Sequence, residues 1–251
     1  MSETATGLRR GLAVLLALER GELGVTQVAE LVGREKSQVS RTLKVLADHG
    51  LVDRDSETLA YRLGWRVFAL AAHAGEDRLA AAAPECLRRL VADFDEAAHL
   101  SVLQDTDVLT VLSEAPAHGV QAVNWVGRIV PAVCTSAGYA LLADHERDEL
   151  ARLIPDASFR RRHPRGPRNA AELWDRLVET RSRGFALVNE EFEPGLVAVG
   201  APVRDFRGRI VAAVNVSAPS FRFADRLEAA GGQVRAEAEE LSRTLGWPGA
   251  A

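Results

Sequence analysis

The chain has 251 residues, of which 47% are hydrophobic and 26% charged, so it can bury one large core or two smaller ones. Its formal net charge of −4 excludes a general electrostatic attraction to nucleic acid, so any DNA binding must depend on local charge. Two widely separated cysteines argue against a disulfide framework, and no apolar run approaches the ~20 residues of a membrane span, so we predict a cytoplasmic protein.

Two helices are predicted near the N-terminus. Residues 8–20 carry closely spaced leucines and stop at Gly21. We expect Thr26 to cap a second, short helix over residues 27–32, which Gly33 terminates. A turn of three residues leads from there into a third helix.

The third predicted helix, residues 35–49, contains the only two lysines of the chain. At about 100° per residue its apolar side chains share one face. The opposite face gathers Ser37, Ser40, Arg41 and Lys44. Short hydroxyls permit close approach to a duplex, and long cations reach phosphates or guanine edges, as a helix in the major groove requires. Taken alone, the pattern is also consistent with a solvated amphipathic helix.

A hairpin follows the third helix. Residues 51–54 and 59–63 alternate like strands around a polar turn at residues 55–58. Three helices and a hairpin in this order are typical of a winged helix-turn-helix, so we predict that residues 1–64 form a DNA-binding domain. The expected DNA contacts lie on the third helix and on the hairpin: Lys36, Ser37, Gln38, Ser40, Arg41, Lys44, Arg54 and Arg62.

Residues 65–77 are predicted to form a linker, whose helix is apolar on most sides up to residue 74. Beyond it, residues 78–251 contain strands, then helices, then strands, which indicates an α+β domain with an antiparallel sheet. The predicted elements are a helix at 78–94, strands at 97–103 and 108–113, helices at about 135–144, 146–153 and 169–183, strands at 185–189, 196–203 and 210–216, and a terminal helix at about 224–245.

No catalytic constellation is evident in this second domain. It lacks a G-x-S-x-G motif, a P-loop and paired zinc-type Cys/His spacing. The six histidines of the chain are scattered singly, although His99 lies in a predicted strand and can face a pocket. We therefore predict no enzymatic activity, no metal and no cofactor.

Several separated motifs resemble the IclR family of bacterial transcription regulators. In the first domain they are GLAVL (11–15), AELVG (29–33), SQVSRTL (37–43), GLV (50–52) and YRLG (61–64). In the second they are VP (130–131), CTSAGYALLA (134–143), RGFA (183–186), EE (190–191), PGL (194–196) and APVRD (201–205). The resemblance covers roughly residues 8–246 and implies a GAF-like effector domain. One departure is Tyr139, where the family usually has lysine.

The resemblance also implies a ligand pocket, whose positions in this chain are Ala122, Val130, Ser136, Ala137, Val188, Leu196, Ala198, Asn215 and Ser217. Family members that bind very small acids have a carboxylate and a thiol where this chain has Val188 and Ala198. We therefore expect a drier cavity for a ligand with an apolar body and one carboxylate-like or amide end, for example an aromatic acid. Backbone N–H groups at residues 135–138 are expected to face its anionic end. The alternative is that these small residues are only core.

These observations favour a ligand-responsive transcription regulator, a repressor of a catabolic operon that a small organic acid releases from DNA. Two alternatives stay open: a winged-helix protein-interaction module without ligand control, and an activator of the same family. One winged helix reads too few base pairs, so we expect a homodimer or a dimer of dimers on a palindromic operator. The helices at residues 8–18 and 65–74 are the expected dimer surfaces. Neither the effector nor the operator follows from the residues.

Overall fold

The computed structural model describes residues 3–72, 77–116, 125–160 and 165–249, and the chain divides into two units, Met1–Asp77 and Arg78–Ala251. The division falls at the end of the predicted linker segment. None of the described helices combines the length and the hydrophobicity that a membrane-spanning segment requires.

The N-terminal unit consists of helices followed by a hairpin, as predicted. Its elements are α1 (Glu3–Ala17), a 3-10 helix (Leu18–Arg20), α2 (Val25–Val32), α3 (Lys36–Asp48), β1 (Val52–Arg54), β2 (Tyr61–Leu63) and α4 (Trp65–Ala72). Side chains from α1, α2, α3 and the hairpin form one small core, which includes Val14, Val28, Leu43 and Val52. The apolar spacing of the three helices thus produces the predicted three-helix arrangement.

The start of α2 differs from the prediction. The helix begins at Val25, so Thr26 lies inside the first turn and does not cap it. The cap position is held by Gly24, whose backbone N–H donates to Oε1 of Gln27 at 2.8 Å. Because the Gln27 amide reaches back in this way, the chain enters the helix two residues earlier than a threonine cap would allow.

The hairpin turn is organised by one carboxylate. Oδ1 of Asp55 accepts hydrogen bonds from the backbone N–H groups of Glu57 and Thr58, at 2.9 and 2.7 Å, and from the Thr58 hydroxyl. The hydrogen bonds from Thr58 and Glu57 lower the pKa of Asp55. After the hairpin, α4 exposes Trp65, Phe68 and Leu70. The last two residues of its predicted span, 73 and 74, lie outside the described residues.

The C-terminal unit is an α+β domain with six strands in the part of the chain that the structure describes. Its elements are α5 (Asp77–Phe94), β3 (Ala97–Gln104), β4 (Asp107–Glu114), β5 (Ile129–Pro131), a 3-10 helix (Ala132–Cys134), α6 (Ser136–Leu142), α7 (Arg147–Leu153), a 3-10 helix (Asp156–Arg160), α8 (Ala170–Arg183), β6 (Ala186–Asn189), β7 (Leu196–Arg204), β8 (Ile210–Pro219), α9 (Ser220–Phe223), a 3-10 helix (Ala224–Arg226) and α10 (Leu227–Thr244).

These six strands form one antiparallel sheet in the order β5-β4-β3-β8-β7-β6. Because side chains alternate along a strand, the sheet presents two faces. One face packs on α5 and α10 around residues such as Leu100 and Val214, and the other packs on α6 and α8. The second face carries the polar residues of β3 and β8.

The structure differs from the prediction at several places in this domain, among them a short strand and the start of the terminal helix. The three-residue strand β5 is too short to show an alternation in the sequence, and it pairs only with the edge of β4. The predicted terminal helix at 224–245 begins with a 3-10 turn and becomes α-helical at Leu227. The predicted α+β class with an antiparallel sheet is confirmed.

Candidate functional sites: a polar helix face and a cavity

Helix α3 is held in the N-terminal unit by one apolar face. Val39 and Leu43 are fully buried, and Leu46 is nearly so. Burying these three side chains turns the opposite face of the helix towards solvent. The core therefore determines which residues of α3 a partner can reach.

The solvent face of α3 carries most of the predicted DNA contacts. Lys36, Ser37, Ser40, Arg41 and Lys44 are exposed, and Gln38 is half-buried. Nε of Arg41 donates to the backbone oxygen of Ser37 at 3.3 Å. Among the described residues, no carboxylate lies within ion-pair distance of Lys36, Arg41 or Lys44. The three cations are thus not neutralised by any carboxylate that the structure describes in this unit.

The two arginines of the hairpin are engaged in different ways. The Arg54 guanidinium lies over the Tyr61 ring, 5.5 Å from its centroid. Nη1 of Arg62 lies 3.0 Å from Oε1 of Glu22, a pair that joins positions 40 residues apart. Both partners of this pair are about half exposed, so Arg62 can exchange the carboxylate for another anion at low cost.

A cavity that is partly open to solvent lies between the polar face of the sheet and the start of α6. Eight of the nine positions carried over from the family resemblance line it: Val130, Ser136, Ala137, Val188, Leu196, Ala198, Asn215 and Ser217. The ninth, Ala122, lies outside the described residues. The structure therefore brings residues from β5, α6, β6, β7 and β8 to one place.

Seven further residues line the cavity: His99, Ser101, Val108, Thr110, Trp125, Thr135 and Phe192. Of these, only His99 and the backbone of Thr135 were considered from the sequence. A detectable signal was present in β3, where the polar His99 and Ser101 alternate with the apolar Ala98, Leu100 and Val102. Polar residues at period two within a buried strand indicate a wet or ligand-facing side of a sheet.

His99 lies at the polar end of the cavity and is almost completely buried. Its Nδ1 is 3.0 Å from Oγ of Ser113, and its Nε2 is 3.1 Å from Oγ of Ser217. Burial lowers the pKa of His99 to about 4, so the ring is neutral at pH 7. One ring nitrogen then donates a hydrogen bond to a serine, and the other accepts a hydrogen bond from a serine hydroxyl.

The start of α6 supplies a second polar feature. The Thr135 hydroxyl accepts from the Gly138 N–H at 3.1 Å and so caps the helix. Oγ of Ser136 is buried and has no hydrogen-bond partner among the described residues. A Cβ at Gly200 would lie 3.0 Å from the Ser136 carbonyl, so the absence of a side chain allows β7 to approach this turn closely. Ser136 is therefore available to a molecule in the cavity.

Aromatic rings line another side of the cavity. The centroid of the Trp125 ring lies 6.0 Å from that of His99 and 6.2 Å from that of Phe192. The Arg128 guanidinium stacks on Trp125 at 5.1 Å from the ring centroid. The Trp125 and Phe192 rings are inclined to each other by 60°, so they form two apolar walls, and the guanidinium supports one of them.

The loop that carries Phe192 is anchored by a buried carboxylate. Oε2 of Glu191 accepts a hydrogen bond from the Tyr139 hydroxyl at 2.6 Å, and its Oε1 lies 3.3 Å from Nε of Arg176. Burial raises the pKa of Glu191 despite these partners. Tyr139, the residue that departs from the family's usual lysine, thus serves as a hydrogen-bond donor to the loop beside the cavity.

The cavity lining carries no formal charge. None of the described lining residues is aspartate, glutamate, lysine or arginine, and the single histidine is neutral at pH 7. Within the described part of the chain, no three His, Cys, Asp or Glu side chains are grouped to hold a metal ion. Hydroxyl, amide and imidazole groups are the polar groups that can recognise a ligand here.

Two family models match the chain. The model described as "IclR helix-turn-helix domain" matches residues 7–56, and "Bacterial transcriptional regulator IclR C-terminal" matches residues 72–243. The chain belongs to the IclR family. It is therefore a transcription regulator with a helix-turn-helix DNA-binding domain, and the resemblance drawn from the sequence motifs is confirmed.

Relatives match over nearly the whole chain. The HTH-type transcriptional regulator BhcR of Paracoccus denitrificans is 33% identical, over 96% of this chain and 88% of its own. The HTH-type transcriptional repressor AllR of Salmonella typhimurium is 28% identical, over 96% and 90%. The crystal structure of an IclR homologue from Microbacterium hydrocarbonoxydans complexed with 4-hydroxybenzoate has a TM-score of 0.73 at 20% identity, over 94% of this chain and 99% of the other. That likeness concerns the fold.

Proposed function

We propose that the protein is a ligand-responsive repressor of a catabolic operon, with DNA bound by the N-terminal unit and an effector bound in the C-terminal cavity. In this proposal residues 1–64 are the DNA-binding domain, 65–77 the linker helix and 78–251 the effector-binding domain. The observation that carries the proposal is that two features occur in separate units of one IclR-family chain. One is a cationic helix face without a carboxylate partner among the described residues, and the other is a mostly apolar cavity that is partly open to solvent.

The DNA contact is proposed on the exposed face of α3. Ser37, Gln38 and Ser40 are short enough to let the helix approach base edges, whereas Arg41 and Lys44 reach further. Residues 1–66 contain 10 Lys and Arg against 9 Asp and Glu, so general attraction to the duplex is weak. Specific affinity must then come from a few contacts repeated in a second subunit.

The assembly proposed is a homodimer or a dimer of dimers. In α1, Leu8, Leu12 and Leu16 recur every fourth residue and are 66%, 51% and 60% exposed. In α4, Trp65 and Phe68 are 79% and 68% exposed. Exposed apolar side chains in such rows are typical of surfaces that pack on another chain. Light scattering at micromolar concentration tests this proposal, and a stable monomer would contradict it.

The effector proposed is a small acid or its derivative with a flat apolar body, such as an aromatic acid. Trp125 and Phe192 provide two aromatic walls, inclined to each other by 60°, that can contact such a body. Val188 and Ala198 keep the cavity dry where a carboxylate or thiol would make it polar. His99, Ser136 and Ser217 provide hydrogen bonds for the polar end. AllR is named a repressor, which supports repression over activation. A structural relative was crystallised with 4-hydroxybenzoate, which supports an aromatic acid as the ligand class.

A ligand shifts DNA affinity only by its differential affinity for two arrangements of the protein. Coupling between the effector and operator sites of about 1–3 kcal/mol is the usual range. The α4 segment connects the two units along the chain, and we propose that it transmits this coupling.

The DNA contact can be tested with Arg41→Ala and Lys44→Ala in operator-binding titrations at several salt concentrations. Arg41→Ala should cost about 1–3 kcal/mol of specific binding if the side chain reads a base. Lys44→Ala should weaken binding to all DNA sequences alike. It should also reduce the slope of log affinity against log salt concentration by about one. Arg88→Ala, an exposed substitution in the other unit, is the matched control. Unchanged affinity in both test variants would exclude this helix face.

The effector site can be tested by thermal denaturation with aromatic acids and their amides, because a ligand that binds the folded state raises its apparent stability. Compounds that stabilise the protein should also release it from the operator. A compound that stabilises the protein and strengthens operator binding would favour the activator alternative.

A further inference from the structure

We propose that the cavity takes up a carboxylic acid together with one proton, and that His99 holds this proton in the complex. The inference rests on the proposed function of the cavity as the effector site. It adds that DNA release by an acid effector depends on pH, because the described lining residues are uncharged and offer the carboxylate no permanent cation.

The described side chains that face His99 are uncharged. On its own strand the neighbouring lining residue is Ser101, on β4 it faces Ser113, and on β8 it faces Asn215 and Ser217. The start of α6 contributes only the uncharged residues 135–137. On the aromatic side, the exposed Arg128 stacks on the outer ring, that of Trp125. In the sequence of residues 117–124, which lie outside the described residues, the one titratable side chain is His118.

Burying an anion in the cavity beside His99 costs free energy. A carboxylate that leaves water without a cationic partner loses far more hydration energy than a few neutral hydrogen bonds restore. The Thr135 hydroxyl already occupies the Gly138 N–H, so the helix start offers fewer free donors than the sequence suggests. A proton taken from solvent removes the imbalance, because an imidazolium beside a carboxylate forms a neutral pair.

The hydrogen bonds of His99 allow its ring to become protonated. In the neutral ring, one nitrogen accepts a hydrogen bond from a serine hydroxyl, because both nitrogens lie within hydrogen-bond distance of a serine. When the ring is protonated, both nitrogens donate, and that hydroxyl must turn its hydrogen elsewhere. Ser217 lines the cavity, so its hydroxyl can turn towards a carboxylate oxygen while its own oxygen accepts from the ring.

The affinity of the cavity for an acid is expected to depend on pH. In the free protein burial lowers the pKa of His99 to about 4, and a bound carboxylate raises this pKa. Between the two pKa values, binding takes up one proton, so the affinity for an acid falls about ten-fold per pH unit. A neutral amide of the same shape brings no charge, and its affinity should be independent of pH.

The experiment uses the full chain and two matched probes, 4-hydroxybenzoate and 4-hydroxybenzamide. Isothermal titration calorimetry from pH 5.5 to 7.5, in buffers with different ionisation enthalpies, gives both the affinity and the number of protons taken up. We expect uptake of one proton and a ten-fold loss of affinity per pH unit for the benzoate, with no uptake for the benzamide. Equal benzoate affinity at pH 5.5 and 7.5 would overturn the inference while leaving the cavity as an effector site.

Two variants assign the proton to a residue. His99→Gln should abolish proton uptake with the benzoate, whereas His118→Gln should retain it. The reverse result would overturn the role of His99. The ring signals of His99 in NMR spectra provide a test that needs no folded variant: they should titrate well below pH 5.5 in the free protein and shift to the protonated form when the benzoate is added at pH 6.5.

The outcomes separate this inference from the proposed function. A His99 ring that titrates near pH 6.5 in the free protein rejects the inference alone. Failure of both probes to bind at every pH rejects the inference together with the aromatic-acid effector, whereas operator binding by α3 is measured independently. Benzamide binding without benzoate binding rejects proton-coupled uptake and identifies a site for neutral ligands.

Discussion

Replacing His99 by glutamine should remove a large part of the acid sensitivity of the C-terminal unit. In the folded protein burial lowers the pKa of His99 from its usual 6.5 to about 4. The unfolded chain therefore binds more protons than the folded chain between these two values. Stability rises with pH in this window, so the contribution of a neutral His99 is complete above pH 6.5 and is lost as the pH falls towards 4.

The magnitude follows from the size of the pKa shift. One pKa unit corresponds to about 1.4 kcal/mol, so the shift of His99 predicts a loss of about 2 kcal/mol by pH 5 and about 3 kcal/mol by pH 4. Glutamine does not titrate, so His99→Gln should lower stability at pH 7.5 through a lost hydrogen bond, and the gap to the parent protein should close as the pH falls.

The assay is urea unfolding at pH 7.5, 6.0 and 5.0, followed by tryptophan fluorescence. Trp65→Phe in all samples confines the signal to the C-terminal unit, which holds the other three tryptophans. His49→Gln, a change of an exposed histidine in the N-terminal unit, is the control and should retain the full pH dependence. Parallel pH dependence in the parent protein and in His99→Gln would refute the reasoning from burial.

Three further predictions concern the core, the loop anchor and the cavity. Leu43→Ala should destabilise the N-terminal unit by about 2–5 kcal/mol in urea titrations, because the side chain is completely buried, whereas the exposed Val45→Ala should change little. The raised pKa of Glu191 predicts that its contribution to stability is present at low pH and is lost as the pH rises through that value, so Glu191→Gln should flatten this decline in unfolding experiments at pH 5–8. Ala198→Phe should fill the cavity, cost about 1–3 kcal/mol through overpacking and abolish the thermal shift and operator release by acids. An Ala198→Phe protein that still responds like its parent would show that the effector binds elsewhere.

Local patterns in the sequence were sufficient for most elements of the fold. The apolar spacing around Val39, Leu43 and Leu46 predicts both the helix and its buried face, because a helical period of 3.6 is a property of the chain alone. The hairpin was predictable because Asp55 and its neighbours form a turn with their own backbone. The start of α2 was not, since either Thr26 or Gln27 can satisfy a free backbone N–H.

The cavity was accessible from the sequence only in part. Family motifs located Ser136, Ala198 and Ser217, whereas residue patterns by themselves do not indicate that these three positions meet. Trp125 and Phe192 lie outside the strands, so no period marks the direction of their side chains. Their place in the lining depends on the loops that join the strands.

The sequence by itself therefore determined the order of helices and strands, the polar face of α3 and the family, because these depend on neighbours within a few residues. Only the tertiary structure decided which distant groups meet. The tertiary structure pairs Arg62 with Glu22, Tyr139 with Glu191, and His99 with two serines. His99 is neutral because β3 lies between β4 and β8, which exclude water from its ring and leave it two hydroxyl groups as partners. Strand order is set by the free energy of the whole sheet and core, and no local pattern encodes it.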